Sequence, residues 1–504
     1  MSFDWSEVSC GGYPADRLDR AKYAEFLTKF LIEKGKNENY VLNLNAQWGA
    51  GKTWFLRRWA EEIEDKYPVV FIDAWKSDHS KDPFLAVITE IQHGLKNKTD
   101  KSLLESPFIE NAWRMIKSIA PEVTKAVIKT KFGVDIDKAT DLISGDGAAD
   151  IGAKLVEAAM SAHEEANKSI EYFKKAINAW LESVVGTNKD YDYPLFIFID
   201  ELDRCRPTYA IEMLETIKHL FDMKRVVFII ATDKEQLEHS IKAVYGVGFD
   251  SQRYLNRFFN RTLTLRKPNH YEYIFEIISS SIILQNYLGH KSNSWFIVEI
   301  EDASYIEQYA KILSAISQML YMDLRTINQW MERIEASVTN VSVKFDIIFL
   351  SFILSINCVS NESYQNLFAG KLPSSIERTS FFTSMTGGRK LNSENINFKI
   401  NGQNLGTSFR IDQYNTVRND LRAELIKLSI TDLFYLLFSI VIIEDKINGL
   451  TEEIANFSNA PSQSNVIERH GKAILKAIIL NDFKNTSLKL SDYADIVELA
   501  CILE

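Results

Sequence analysis

The chain has 504 residues, of which 46% are hydrophobic and 25% charged, so it is too long for one hydrophobic core and too apolar to be disordered; two or three folded domains are expected. A formal net charge of −10 argues against a protein whose main work is to coat nucleic acid or anionic membrane, because such binding usually needs a basic surface. Cys10, Cys205, Cys358 and Cys501 lie far apart in sequence, which excludes a disulfide-dense scaffold and a Cys-x-x-Cys zinc site and points to a reducing, cytoplasmic setting. None of the eight histidines falls in a metal-ligand spacing.

The N-terminal segment carries acidic residues early and lacks an apolar stretch, unlike a secretory signal. Residues Arg20 to Glu33 then place Tyr23, Phe26, Leu27 and Phe30 at helical spacing. A Gly/Asn turn leads into the apolar run Tyr40 to Leu44, read as a buried strand. After it come the glycine-rich segment AQWGAGKT (Ala46 to Thr53), a helix from about Thr53, and a second strand, Pro68 to Asp73. Strand, helix, strand is the signature of a parallel sheet covered by helices.

The next such strand, Pro194 to Ile199, arrives only about 120 residues later, more than a simple crossover needs. Within the interval Leu155, Ala159, Ala162, Ala166, Ile170, Phe173, Ile177, Trp180 and Val184 recur at helical spacing, so a helical insertion with a Gly-rich loop at Ser144 to Gly152 is expected. The alternation resumes with helix Tyr209 to Asp222, strand Val226 to Ala231, helix Lys234 to Tyr245 and a strand-like Thr262 to Leu265. From Pro268 the chain reads mostly helical. The longest apolar runs, Ile347 to Ile356 and Leu433 to Ile443, fall short of the roughly 20 residues that a membrane span requires; they read as buried core helices, and no membrane partner is expected. The polar stretch from about Pro373 to Gly406 reads as a loop.

The expected fold is therefore α/β: a P-loop NTPase core with a parallel sheet sandwiched by helices, interrupted by a helical insertion and followed by a mostly helical C-terminal region. The expected boundaries are 1–95 and 191–267 for the core, 96–190 for the insertion, 268–341 for a helical lid and 342–504 for a C-terminal partner-binding region.

Two segments carry chemistry. In AQWGAGKT, small residues let the backbone N–H groups of Gln47, Trp48, Gly49, Ala50 and Gly51 approach phosphate oxygens, and the start of the helix at Lys52, Thr53 and Trp54 adds a positive dipole end. Lys52 neutralises β/γ-phosphate charge. Thr53 offers a hydroxyl to Mg²⁺, which prefers hard oxygen ligands. Ala46 stands where the strict pattern has glycine. PLFIFIDELDRC (Pro194 to Cys205) is a buried strand ending in two carboxylates, at the strand end where open α/β sheets bind ligands. Asp200 is the candidate Mg²⁺ ligand and Glu201 the candidate base for the water that attacks the γ-phosphate. Strand Val226 to Ala231 ends in Thr232 and Asp233, placed beside the γ-phosphate if that strand neighbours the other two; either residue can equally cap the next helix.

On these segments the chain resembles the KAP family of P-loop NTPases. The resemblance rests on PADRLDRAKYAEFL, on AQWGAGKT with its internal tryptophan, and on FIDAW (Phe71 to Trp75), FIDELDRC and FIIATD. Family members commonly show Asp-Asp-Leu-Asp-Arg-Cys, so Asp200, Leu202, Asp203, Arg204 and Cys205 match while Glu201 departs toward the commoner catalytic glutamate, which favours hydrolysis. The resemblance implies ATP as the nucleotide and Mg²⁺ as its metal. It also implies an insertion between the two motifs, partner proteins engaged through the insertion and the C-terminal region, and a homo-oligomer or hetero-complex. DLRTINQW (Asp323 to Trp330) is similar to the family's helical Arg motif, making Arg325 a candidate second sensor. Arg253, Arg257 and Arg261 precede the last strand, where related NTPases face a neighbouring subunit. Bacterial members are often linked to anti-phage defence.

Three functions follow: an ATPase switch acting on partner proteins, a nucleic-acid-stimulated motor or sensor of the same fold, and a nucleotide-binding scaffold without turnover. The acidic chain does not favour the second.

Overall fold

The computed structural model describes residues 2–36, 38–79, 83–96, 171, 174–175, 177–186, 191–218, 220, 222–289, 304–340, 345–369, 378–391, 395–400, 424–442, 475–476 and 489–502. The chain divides into two compact units, Met1–Lys267 and Pro268–Glu504. Most of the expected insertion, with its Ser144 to Gly152 loop, lies outside the described residues; within it, residues 177–186 are helical.

The first unit is built on strands β1 (Tyr40–Asn45), β2 (Val69–Asp73), β3 (Leu195–Asp200), β4 (Val226–Thr232) and β5 (Arg261–Thr264). They form one sheet in the order β2-β3-β4-β1-β5, with every neighbouring pair parallel. β3 and β4 are buried along their whole length, because a parallel sheet is covered on both faces and selects near-continuous apolar runs. The two-residue period of the strands sorts their side chains. Leu195, Ile197 and Ile199 of β3, with Val226, Phe228 and Ile230 of β4, enter one core. Phe196, Phe198, Val227 and Ile229 enter the other.

Each core is closed by helices. α1 (Ala21–Gly35) and α2 (Lys52–Ile63) cover the Phe196 face with Leu27, Leu31, Phe55, Trp59 and Ile63. The short α3 (Ala74–Ser77) follows β2. α4 (Pro83–Lys96), α5 (Pro207–Lys218) and α6 (Lys234–Tyr245) cover the opposite face with residues such as Ile88, Ile91, Met213, Ile217 and Ile241. Burying each such side chain stabilises by roughly 1.5–3 kcal/mol. The polar tip of Trp59 is satisfied too: its Nε1 donates to Thr28 Oγ1 at 2.7 Å, and Thr28 donates to Ala24 O at 2.7 Å. Gly35 ends α1 where a Cβ would stand 2.5 Å from Val227 Cγ2 and 2.8 Å from Pro194 Cγ, so any side chain there would push α1 off the sheet. α7 (Ser251–Leu255) precedes β5.

The second unit contains α8 (His270–Ser280), α9 (Ile282–Gly289), α10 (Tyr305–Met319), α11 (Leu324–Asn340), α12 (Ile347–Val359), α13 (Asn361–Phe368), α14 (Arg378–Met385), α15 (Ile430–Val441) and α16 (Leu490–Cys501). α12 is buried on all sides from Ile347 to Ile356, as expected of a helix apolar all round. α15 holds most of the second apolar run, also largely buried. The region is not all helical: Asn395–Ile400 (β6) pairs antiparallel with Glu424–Ser429 (β7). β6 falls inside the polar stretch expected to be a loop. Its alternation of Ile396, Phe398 and Ile400 is the signal that the surrounding Asn and Ser residues concealed. Among the described residues no helix is long and apolar enough to cross a membrane.

Candidate nucleotide site

The strand order puts the ends of β1, β4 and β3 side by side, with Asn45 opposite Thr232 and Ile199 opposite Ile230. Everything that follows these strands is therefore gathered at one edge. The loop after β1 turns on two left-handed glycines, Gly49 (φ 72°) and Gly51 (φ 79°), a conformation that costs residues with a Cβ. It is tied down from two sides: Ala46 N donates to Thr232 O at 3.1 Å, and Trp48 N donates to Asp233 Oδ2 at 3.1 Å. Gly51 then opens α2, which begins at Lys52.

Lys52 is 8% exposed. A buried ammonium needs oxygen partners, and here its Nζ donates to Ala46 O at 2.6 Å and lies 3.7 Å from Asp203 Oδ2. Thr53 is exposed at the mouth of the loop and donates its hydroxyl hydrogen to Glu201 Oε1 at 3.0 Å. Two segments about 150 residues apart in sequence thus converge through Lys52–Asp203 and Thr53–Glu201.

The acidic end of β3 is built under tension. Asp200 is 1% exposed; its Oδ1 accepts from Glu201 N at 2.9 Å, while Oδ2 is buried and makes no hydrogen bond. Burial raises the Asp200 carboxyl to about 6; the Thr53 hydroxyl and the Glu201 amide pull it down, and the charges of Glu201 and Asp203 push it up. Glu201 sits in left-handed backbone (φ 61°, ψ 22°), a conformation of order 1 kcal/mol or more above the ordinary for a non-glycine residue. It re-aims the chain into the 3₁₀ turn Leu202–Arg204. Asp203 Oδ2 also accepts from the indole Nε1 of Trp48, and its Oδ1 is buried without a partner. Cys205, 5% exposed, is held as a thiol: burial, and then the carboxylates of Asp78 and Asp203, push it up to about 12, so it is no nucleophile.

Asp200 Oδ2 and the Thr53 hydroxyl are hard oxygens of the type Mg²⁺ selects. A carboxylate oxygen that is buried, unpartnered and strained toward protonation fits a cation neighbour. Among the described residues no group of three His, Cys, Asp or Glu side chains is arranged to hold a metal.

Thr232 and Asp233 are both at the edge, in different roles. The Thr232 hydroxyl is fully buried and donates to Asn43 Oδ1 at 2.9 Å. Asp233 caps α6, its Oδ1 accepting from Gln236 N at 3.4 Å while Oδ2 holds the loop. Gln47 is exposed and Ala50 half-buried; Trp54 donates to Pro14 O at 3.1 Å. Arg253, Arg257 and Arg261 are exposed, with Arg261 5.9 Å from the Phe30 ring. Arg325 belongs to the second unit, exposed in the first turn of α11; it is not among the residues that the first unit brings together.

Three residues of the site had no assigned role in the sequence. Arg20, 3% exposed, donates from Nη1 to Gly51 O at 3.3 Å and so braces the loop. Its chain is fixed by Asp16, whose carboxylate accepts from Leu18 N and Ala21 N at 3.0 and 2.8 Å. Asp203 and Arg204 are the others. The PADRLDR and DELDR strings signalled all three, but spacing alone does not say which way a side chain points.

A glycine-turned loop entering a helix at a buried lysine, facing carboxylates at the end of an adjacent-but-one parallel strand, defines a P-loop domain. The sequence model of the KAP family P-loop domain matches residues 20–341, more than half of the chain, and the chain belongs to that family. It is also similar to the phage T7 exclusion protein of Escherichia coli (strain K12), 20% identical over 266 residues. That match covers 51% of this chain and 34% of the relative, so the chain spans about a third of that protein's length.

Proposed function

We propose that the first unit binds ATP with Mg²⁺ and hydrolyses it, and that turnover drives a conformational or assembly switch, in anti-phage defence, on partner proteins that meet the insertion and the C-terminal region. The observation that carries this reading is the convergence of Lys52 on Asp203 and of Thr53 on Glu201, beside the buried Asp200.

Lys52 exchanges its present oxygens, Ala46 O and Asp203 Oδ2, for β/γ-phosphate oxygens. Gln47 to Gly51 present backbone N–H groups, and the start of α2 adds its dipole. Thr53 and Asp200 would hold the metal, which supplies charge neutralisation on the phosphates when bound. Glu201 accepts a proton from water as the water oxygen bonds to the terminal phosphorus; the bond to the bridging oxygen breaks, and its electron pair leaves with ADP.

Support for defence comes from the similarity to a phage T7 exclusion protein; support for ATP and for partner proteins comes from the family. The test is ATP affinity and phosphate release. Lys52→Ala is expected to lose ATP binding and Glu201→Gln to bind ATP without releasing phosphate. Undiminished affinity in the lysine variant would remove the site, and equal phosphate release by wild type and Glu201→Gln would leave a scaffold that binds nucleotide without turnover.

A further inference from the structure

The acidic strand end carries its own basic residue. In a 3₁₀ turn, with three residues per turn, side chains at i and i+3 eclipse. The turn Leu202–Arg204 therefore lays Arg204 over Glu201, with Arg204 Nε 2.5 Å from Glu201 Oε2. The other oxygen, Oε1, accepts from the Thr53 hydroxyl at 3.0 Å. Both oxygens of the residue read as the base are engaged.

The two contacts differ in consequence. A hydroxyl that donates its one hydrogen keeps its lone pairs, so Thr53 bonded to Glu201 still offers an oxygen to a metal. The guanidinium instead lies against Oε2 as an ion pair, and a carboxylate oxygen covered by a cation is held in its charged form and does not take a proton from water. Access differs as well: the Arg204 side chain is 31% exposed and that of Glu201 16%. The guard can be reached from outside while the carboxylate it covers is mostly hidden.

We propose that Arg204 is a positioning residue that holds Glu201 in a resting state, and that an acidic side chain of a protein partner releases Glu201 by drawing the guanidinium away. This rests on the reading of Glu201 as the base. The chemistry of the partner follows from the group exposed: a carboxylate pairs with guanidinium through two parallel N–H···O bonds.

The test compares steady-state phosphate release and ATP affinity, with Mg²⁺, of wild type, Arg204→Ala, Arg204→Lys, Glu201→Gln and the Arg204→Ala/Glu201→Gln double variant, each checked for an intact thermal transition. Arg204→Ala is expected to raise kcat about fivefold, the factor that a partly exposed ion pair corresponds to at most, with KM and ATP affinity unchanged. Arg204→Lys falls between, and the double variant is as slow as Glu201→Gln. Should Arg204→Ala fail to fold, Arg204→Lys carries the test, with a kcat at least twice that of wild type as the expected result. An unchanged or lower kcat at unchanged ATP affinity overturns the inference and leaves Glu201 as the base. If every variant binds ATP and none releases phosphate, the hydrolase reading falls and the inference with it.

Discussion

The two units bury polar groups for opposite ends. In the second, buried polar side chains are mostly neutral and their bonds serve packing: Tyr309 Oη and Ser351 Oγ share a bond at 2.7 Å, Trp330 Nε1 donates to Ser351 O at 2.9 Å, and Asp346 spends Oδ1 on the first N–H groups of α12 while its own amide donates to Tyr493 Oη. At the strand ends of the first unit the buried groups are charged and under-satisfied, Asp200 and Asp203 each keeping an oxygen without a hydrogen bond beside Lys52, and the half-buried Glu201 between them stands in left-handed backbone. A fold that tolerates such cost in one place and avoids it in another marks where a ligand completes the structure.

That contrast can be broken experimentally, beginning with the largest effect. Glu201→Gln is expected to lower kcat by about 10²–10⁴-fold, the usual weight of a general base, and to leave ATP affinity intact; steady-state phosphate release beside equilibrium binding reads this. Lys52→Ala should weaken ATP binding by about a hundredfold, since it deletes a charge-assisted contact to phosphate, as a titration of nucleotide would report. Asp200→Asn should do two things at once: abolish Mg²⁺-dependent turnover and, at pH 7 without metal, stabilise the fold by roughly 1–3 kcal/mol.

The sign follows from the raised Asp200 carboxyl. Its folded value of about 6 lies above the ordinary 3.8, so the folded state holds the proton more tightly. The associated stability is complete below about pH 4 and is lost as pH rises through about 6. Denaturant melts of the wild type between pH 4 and 7 should show that decline, and Asp200→Asn should lack it. The smallest effect belongs to the second unit. Ser351→Ala removes the bond between Ser351 Oγ and Tyr309 Oη and should cost about 1 kcal/mol in a denaturant melt, with nucleotide affinity unchanged.

Much of the first unit was legible because its rules are local. Apolar runs marked β1 to β5 to within two residues at either end, and the glycines at 49 and 51 announced a turn that residues with a Cβ resist. What spacing could not reveal was direction. Asp203 lies three residues beyond Asp200, yet its carboxylate returns toward Lys52 because the left-handed Glu201 reverses the chain, and no propensity forecasts that conformation for glutamate. Asp233 read equally as cap or as γ-phosphate neighbour; the structure shows it capping α6 and holding Trp48 N together. In the second unit the apolar helices α12 and α15 were plain from composition, whereas β6 hid in a polar stretch whose pairing partner stands some two dozen residues on, beyond the reach of a local pattern.

The most direct test of the central claim is a structure of the Glu201→Gln variant with ATP and Mg²⁺. The account predicts one metal touching the Thr53 hydroxyl and Asp200, with Lys52 Nζ moved from Ala46 O onto the triphosphate. A nucleotide bound elsewhere, or Lys52 still on Ala46 O and Asp203 with ATP present, would contradict it.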